Sequence, residues 1–402
     1  MSHHIVSIVS RRAPGALCYL LALIAYTTTS CLPAQGSTNA LLFTQRSSAV
    51  ESSSGVQNSS TTQSPGTIFS KPVIAVVGAA SGVELTDFVV PRATLAESGV
   101  AQVIVVAPNA AKILLAPSKM TTNADMTFAA FDAAFTHGAD YVIVPAMVDP
   151  ENAAVRAWLK AQAAHGATIV SICEGARVVA GAGLFQGMRA TTHFSALDEL
   201  AKKYPGTTWV RNTRYVFDGK RISTTGVSAS LPVSIFLIER IAGRLVADSV
   251  ARRIGVTSWD TTHNTDAFHL TKWIYVTAAA NYLAWWRHDV IGVQVTDGVD
   301  EVALALTMDA IPRTMRAKAL TWSDAGGTVV GRQGLRLSVD RSRALLERSA
   351  RQLALPAQTV PPASALDSAM AQLGAWYGSD ARALIALGME YAPLRTASRD
   401  PL

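Results

Sequence analysis

From residue 71 onward the sequence predicts an α/β fold. It reads as a doubly wound parallel sheet with a nucleophile elbow, followed by a truncated second α/β copy. Three observations carry this. Short unbroken apolar runs at 73–77, 103–107, 141–144 and 167–172 alternate with helical segments, as expected for parallel strands buried on both faces. The run ending at Ile172 meets Cys173, Glu174, Gly175 and Ala176 with no turn residues between, so strand passes to helix in one tight corner. Residues 290–303 look like a second copy of 73–87, with Gly298 against Gly82 and Ala303 against Asp87.

The N-terminal 70 residues stand apart. Residues 1–34 read as an export signal or membrane anchor, with Arg11 and Arg12 flanking an apolar core at 16–26. That core is short of the roughly 20 apolar residues a bilayer span needs. Thr28 to Cys31 loosely matches a lipobox, with Thr28 where leucine is usual. Lipid attachment at Cys31, ordinary cleavage nearby and an uncleaved anchor all fit. Residues 35–70 are rich in Ser, Thr, Gln and Gly and cannot bury enough apolar surface to fold, so they read as a flexible tether. The expectation is an exported, periplasmic or membrane-anchored protein whose membrane contact is this N-terminal segment.

In the folded part, the strand at 73–77 leads into 82–91, which opens a helix. Helices at 128–134 and 153–164 and the strand at 141–144 precede the strand before Cys173. Ligands of such sheets bind beyond the strand C-termini, where Cys173 falls. The helix N-terminus beneath Cys173 would favour its thiolate. A buried core cysteine fits the same pattern. Beyond the elbow come Arg189 to His193, a helix ending near Tyr204, and a strand at 215–217 that turns through Asp218 and Gly219 as a hairpin. Helices at 232–243 and 246–253 close a domain spanning 71–256.

Residues 257–289 carry Trp273, Trp285, Trp286, His263, His269 and His288. A buried aromatic linker helix between domains is expected, and no metal site, because no carboxylate or cysteine ligand set accompanies the histidines. No cofactor is implied. Residues 290–402 form the degenerate repeat. A strand at 317–322 and a hairpin at 329–337 follow its first strand. Residues 366–378 resemble 231–243, although 353–373 can also be laid on 143–163. This half has no cysteine, so it is expected to pack against the first domain or to support a homodimer.

The totals exclude several classes. A chain of 402 residues is too long for one core. Hydrophobic residues make up 49% and charged residues 16%, an excess that the N-terminal segment and Ala-rich helices account for in part. The net charge of +6 is spread without Lys/Arg blocks among aromatics, which argues for a mildly basic surface and against a nucleic-acid partner. Three cysteines do not make a disulfide scaffold.

Residues 71–256 resemble the ThiJ/PfpI family, class I glutamine-amidotransferase-like, flavodoxin-like domains with an elbow cysteine. The resemblance rests on 82–91, on Ile172 to Ala176, and on Ala182, Gly183 and Leu184 followed by Gly187. It rests also on Ala190 to His193, and on Asp218 and Gly219 through Thr225 and Gly226. The nearest subgroups are the sensor halves of AraC-like regulators and the isonitrile-hydratase-like enzymes. The resemblance implies that Cys173 is the reactive thiol, that Asp87 leans on its sulfur as a general acid or base, and that His193 lies nearby. Taken alone, Asp87 also fits an exposed helix position, and His193 a histidine bonded to backbone.

One departure stands out. The family's Val-Pro-Gly-Gly corner is here Val144, Pro145, Ala146 and Met147, and alanine makes a glycine-only conformation costly. The backbone N–H groups of Ala146 and Glu174 are the candidate oxyanion donors. No basic recognition helix follows the domain. The expected function is a cysteine-dependent hydrolase or hydratase acting on a small electrophilic substrate. The alternative is a non-catalytic small-molecule-binding or redox-sensing module.

Overall fold

A computed structural model describes residues 71–346 and 350–391. The segments read as export signal and tether lie outside the described residues. Among those described, no helix is long and apolar enough to cross a membrane.

The first half is built on β1 (Val73–Val77), β2 (Gln102–Ala107), β3 (Ile113–Ala116), β4 (Thr121–Thr122), β5 (Met126–Thr127), β6 (Tyr141–Val144) and β7 (Thr168–Ser171). The hairpin β8 (Tyr215–Asp218) and β9 (Arg221–Thr224) completes it. Seven of these make one sheet in the order β8-β9-β7-β6-β1-β2-β5, parallel except for the β8–β9 pair. The β-branched runs are buried because helices cover both faces of the sheet.

Helix α1 (Leu85–Ser98) starts where the Glu84 side chain accepts the Asp87 N–H at 2.6 Å, and it stops at Gly99 in the left-handed region. Helices α2 (Phe128–Ala134), α3 (Ala153–Ala164), α4 (Gly175–Gly181), α5 (Leu197–Lys203), α6 (Ser230–Ala242) and α7 (Arg244–Ile254) follow. The corner from β7 to α4 is the elbow.

Helix α8 (Lys272–Leu283) is not the buried connector its aromatic content predicts. Trp273, Trp285 and Trp286 are 64%, 74% and 69% exposed. The two halves meet directly through other helices, so the linker passes around the outside.

In the second half, β10 (Asp289–Gln294), α9 (Glu301–Arg313), β11 (Ala317–Ser323), β12 (Thr328–Val330), β13 (Arg336–Ser338), β14 (Arg341–Ser342) and β15 (Arg351–Gln352) precede α10 (Ala365–Tyr377) and α11 (Ser379–Gly388). Its parallel sheet runs β14-β11-β10-β15, the order of β5-β2-β1-β6 in the first half. Gly243 (φ 85°, ψ 169°) separates α6 from α7, and Gly378 (φ 90°, ψ 175°) separates α10 from α11. Between β15 and α10, no described residue corresponds to β7, α4, β8 or β9, so this half has no elbow.

Two of the junctions between the halves involve β4 and α1. Leu337 of β13 pairs with Thr122 of β4, so one small sheet contains strands from both. Helices α1 and α9 pack antiparallel: Glu84, Thr86 and Arg92 meet Arg313, Asp309 and Glu301 at 2.9, 3.0 and 2.9 Å respectively.

Candidate active site

The elbow is tight for a local reason. A Cβ on Gly175 would run into the carbonyl oxygen of Val144 on the neighbouring strand, so only glycine lets α4 start this close to the sheet. The corner forces Cys173 to φ 53°, a left-handed conformation that costs a non-glycine residue on the order of 1 kcal/mol. Two threonines hold the strained residue. Its N–H donates to Thr224 Oγ1 at 3.1 Å, and its carbonyl accepts from Thr192 Oγ1 at 3.0 Å. The Cys173 side chain is almost fully buried.

Asp87 is no surface residue. It lies in the first turn of α1, fully buried, with Oδ2 accepting the Ala146 N–H at 3.2 Å. Its Oδ1 is buried without a partner among the described residues. Burial pushes the carboxyl up to about 7, opposed by the Ala146 N–H and assisted by Asp309. The residue therefore presents a proton to the site near neutral pH.

Contacts at the Val144–Met147 corner revise the sequence expectation there. Ala146 is not in the left-handed region, so alanine sits at this position without strain. Its N–H, expected to face an oxyanion, is engaged by Asp87. The Glu174 N–H finds no protein acceptor among the described residues.

The thiol is not lowered by the helix beneath it. Burial comes first, and the carboxyls of Asp87, Glu174, Glu84 and Glu390 add to it. Together they raise the Cys173 thiol well above its ordinary value. One seven-residue helix does not outweigh them. Glu174 itself is anionic. Burial works against its charge, but Arg177 at 2.5 Å, with His193 and Ser195, holds the carboxyl below its usual range.

His193 is buried beside this group, with Nδ1 2.6 Å from Ser195 Oγ and accepting the Ser195 N–H at 3.3 Å. Nδ1 acting as acceptor leaves the proton on Nε2, which is buried and has no partner among the described residues. Burial lowers the imidazole pKa, against the pull of Glu390 and Glu174, so the ring is neutral. The Ser195 hydroxyl also reaches Glu174 Oε1 at 3.4 Å.

Four further charged groups escape sequence reasoning. Glu84 caps α1 through one oxygen and meets Arg313 Nη2 at 2.9 Å through the other. Arg313 is bound by Asp309, one turn earlier on α9, at 3.0 and 2.9 Å. Glu390, just past α11, is buried at φ 50° and accepts the N–H groups of Gly226 at 2.8 Å and Phe194 at 3.1 Å. His263 Nε2 lies 2.8 Å from its other oxygen. The spacing of Asp309 and Arg313, one turn apart at the end of a mostly apolar helix, was the one available signal. For Glu390 the sequence offers none.

Residues 73–239 match the DJ-1/PfpI family. This part of the chain is a DJ-1/PfpI domain. Among curated relatives, the HTH-type transcriptional regulator CdhR of Pseudomonas aeruginosa is 33% identical over 117 residues, which is 28% of this chain and 34% of the relative. Isonitrile hydratase of Pseudomonas putida is 34% identical over 86 residues, 21% of this chain and 36% of the relative. The chain thus spans about a third of the length of these relatives. Among solved structures, oxidized DJ-1 of Toxoplasma gondii superposes with TM-score 0.41 and 22% identity, over 46% of this chain and 100% of that one. An AraC family transcriptional regulator from Pseudomonas putida does so with TM-score 0.39 and 17% identity, over 45% and 98%.

Proposed function

We propose that the DJ-1/PfpI domain is a cysteine-dependent hydratase or hydrolase of a small, neutral electrophile, with Cys173 as nucleophile and Asp87 as proton donor. One observation carries this reading: a strained elbow cysteine lies within electrostatic reach of a buried carboxyl whose Oδ1 has no partner among the described residues. The relative named isonitrile hydratase suggests the substrate class, a carbon triply bonded to nitrogen. Burial and the surrounding carboxyls raise the thiol, and the charge on Glu174 disfavours an anionic substrate.

The raised thiol rests neutral, so the nucleophile forms only as substrate binds. The sulfur bonds to the electrophilic carbon while the thiol proton passes, through Asp87, to the substrate; the product is a thioimidate. Water then adds to that carbon and the C–S bond breaks. The hydrated product leaves and the thiol regains its proton. The Glu174 N–H and His193 Nε2–H are free donors for charge that develops on the substrate.

The test is turnover of a small alkyl isonitrile and a small nitrile, read as N-formyl or amide product. Wild type should form product, Cys173→Ala none, and Asp87→Ala roughly 10²–10⁴-fold less. Absence of product from either class with folded wild type refutes the enzyme reading. A second reading, a small-molecule-binding or redox-sensing module, is favoured by one contact, the Asp87 grip on the Ala146 N–H, which removes one of the two expected oxyanion donors. Ligand binding without turnover would decide for it.

Export through residues 1–34 is part of the proposal, supported by Arg11, Arg12 and the apolar core at 16–26. Fusion of residues 1–70 to a periplasm-dependent reporter tests it, and a silent reporter removes it.

A further inference from the structure

The DJ-1/PfpI match ends at residue 239, yet charged groups that surround Cys173 come from beyond residue 300. The Arg313 side chain is 19% exposed, and all three of its nitrogens have partners within the protein. Nη2 bridges Glu84 Oε1 and Asp309 Oδ2 at 2.9 Å each, Nε reaches Asp309 Oδ1 at 3.0 Å, and Nη1 donates to the Gly388 carbonyl at 2.5 Å. The second oxygen of Glu84 holds the Asp87 N–H at 2.6 Å. A continuous path therefore runs from α9 through the cap of α1 to the carboxyl beside the thiol. Burial disfavours the Arg313 charge, but Asp309 and Glu84 overcome this, and Cys173 lies close enough to add to their effect.

Glu390 lies two residues beyond Gly388, whose carbonyl Arg313 holds. Its carboxylate ties together the loop that carries His193, through the Phe194 N–H, and the turn after β9, through the Gly226 N–H. A Cβ on Gly226 would strike both Glu390 and the His193 ring, so the carboxylate and imidazole converge on that one glycine. His263 of the linker is the third contact, with Nε2 2.8 Å from the other carboxyl oxygen. A non-glycine residue at φ 50° is held there by these contacts.

We propose that Arg313 and Glu390 are positioning residues of the Cys173 site, so that the elbow-less second half sets the charge around the thiol. The proposal rests on the reading of Cys173 as the working thiol. It explains why a half without an elbow keeps buried charges pointed at the other half's elbow. The groups that face the thiol are Asp87 and Glu84 from α1 and its cap, Glu174 from the elbow, Glu390 from the tail and Arg313 from α9. Arg177 and His193 stand behind Glu174.

Two residues of opposite sign make the test discriminating. The full chain, with Cys18→Ser and Cys31→Ser so that one thiol reports, is alkylated with iodoacetamide across pH 6 to 10. Arg313→Gln should slow alkylation at pH 8 roughly tenfold, and Glu390→Gln should speed it roughly tenfold. Arg313→Lys, which keeps the charge, should stay within about threefold of wild type. A role as mere structural glue would move both glutamine variants in the same direction. That outcome, or no change in either, overturns the proposal. If Arg313→Gln does not fold, Asp309→Asn replaces it: loss of a negative charge should speed alkylation, and no increase refutes the idea. The readout needs no turnover, so a failed substrate screen leaves this test standing, and a failed alkylation test leaves the substrate screen standing.

Discussion

The Asp87 carboxyl makes a stability prediction whose sign is unusual for an acidic residue. Its folded pKa is raised from the ordinary 3.8 to about 7. Between those values the folded protein keeps the proton and the unfolded chain has lost it. Stability contributed by this group is therefore full below about pH 4 and declines as pH rises to about 7. A displacement of about 3 pH units at about 1.4 kcal/mol each gives about 4 kcal/mol. Glu84 shares the same buried cluster and can take up part of the proton, which brings the expectation to about 2–4 kcal/mol. Asp87→Asn mimics the protonated form in shape and removes the titration. Its amide at the unpartnered Oδ1 position adds a penalty of about 1–3 kcal/mol at every pH. The pH-dependent part is isolated by urea unfolding of wild type and variant at pH 4.5 and pH 8, followed by tryptophan fluorescence. The variant should gain about 2–4 kcal/mol on wild type between the two pH values. An equal difference at both would mean that Asp87 is not held protonated in the fold.

Three other outcomes follow from contacts already described. Gly175→Ala should lower stability by about 3 kcal/mol or more, read as the urea midpoint or as lost soluble yield, because the new methyl meets backbone on β6. Glu301→Ala should cost about 3–5 kcal/mol in the same assay, since Arg92 at 2.9 Å is left buried without its partner. Trp285→Ser should change stability by less than about 0.5 kcal/mol, and acrylamide should quench wild-type Trp285 readily, because the ring is 74% exposed.

The sequence was most informative where the signal is local. The runs at 73–77, 128–134, 141–144 and 153–164 become elements with the same limits, because apolar periodicity and flanking residues decide them within a few positions. The helix opened at Gly82 instead begins at Leu85, since the Glu84 side chain supplies the cap. Cys173 drew notice through adjacency alone, a strand run abutting Glu174 and Gly175. Burial of Asp87 could not be read from its own neighbourhood, because it depends on what α9 covers, more than 200 residues later. Glu390 is the extreme case: its carboxylate binds Phe194, Gly226 and His263, none of which constrains the local pattern around it. The aromatic linker was misread for a related reason. Composition shows that Trp273 and Trp285 are apolar but not whether a partner lies against α8 or the turn after it.

The antiparallel contact of α1 and α9 bears on how this chain can be cut. A fragment trimmed to residues 71–256 would leave Glu84 and Arg92 buried-type charges facing water, and would bare β4 as an open edge where Leu337 now pairs. Such a fragment would carry the cysteine yet lack its proper surroundings, and would be prone to self-association. Excision at the apparent domain boundary would therefore understate whatever chemistry the intact protein performs. Substitutions along that contact should be tolerated chiefly in matched pairs, one from each half.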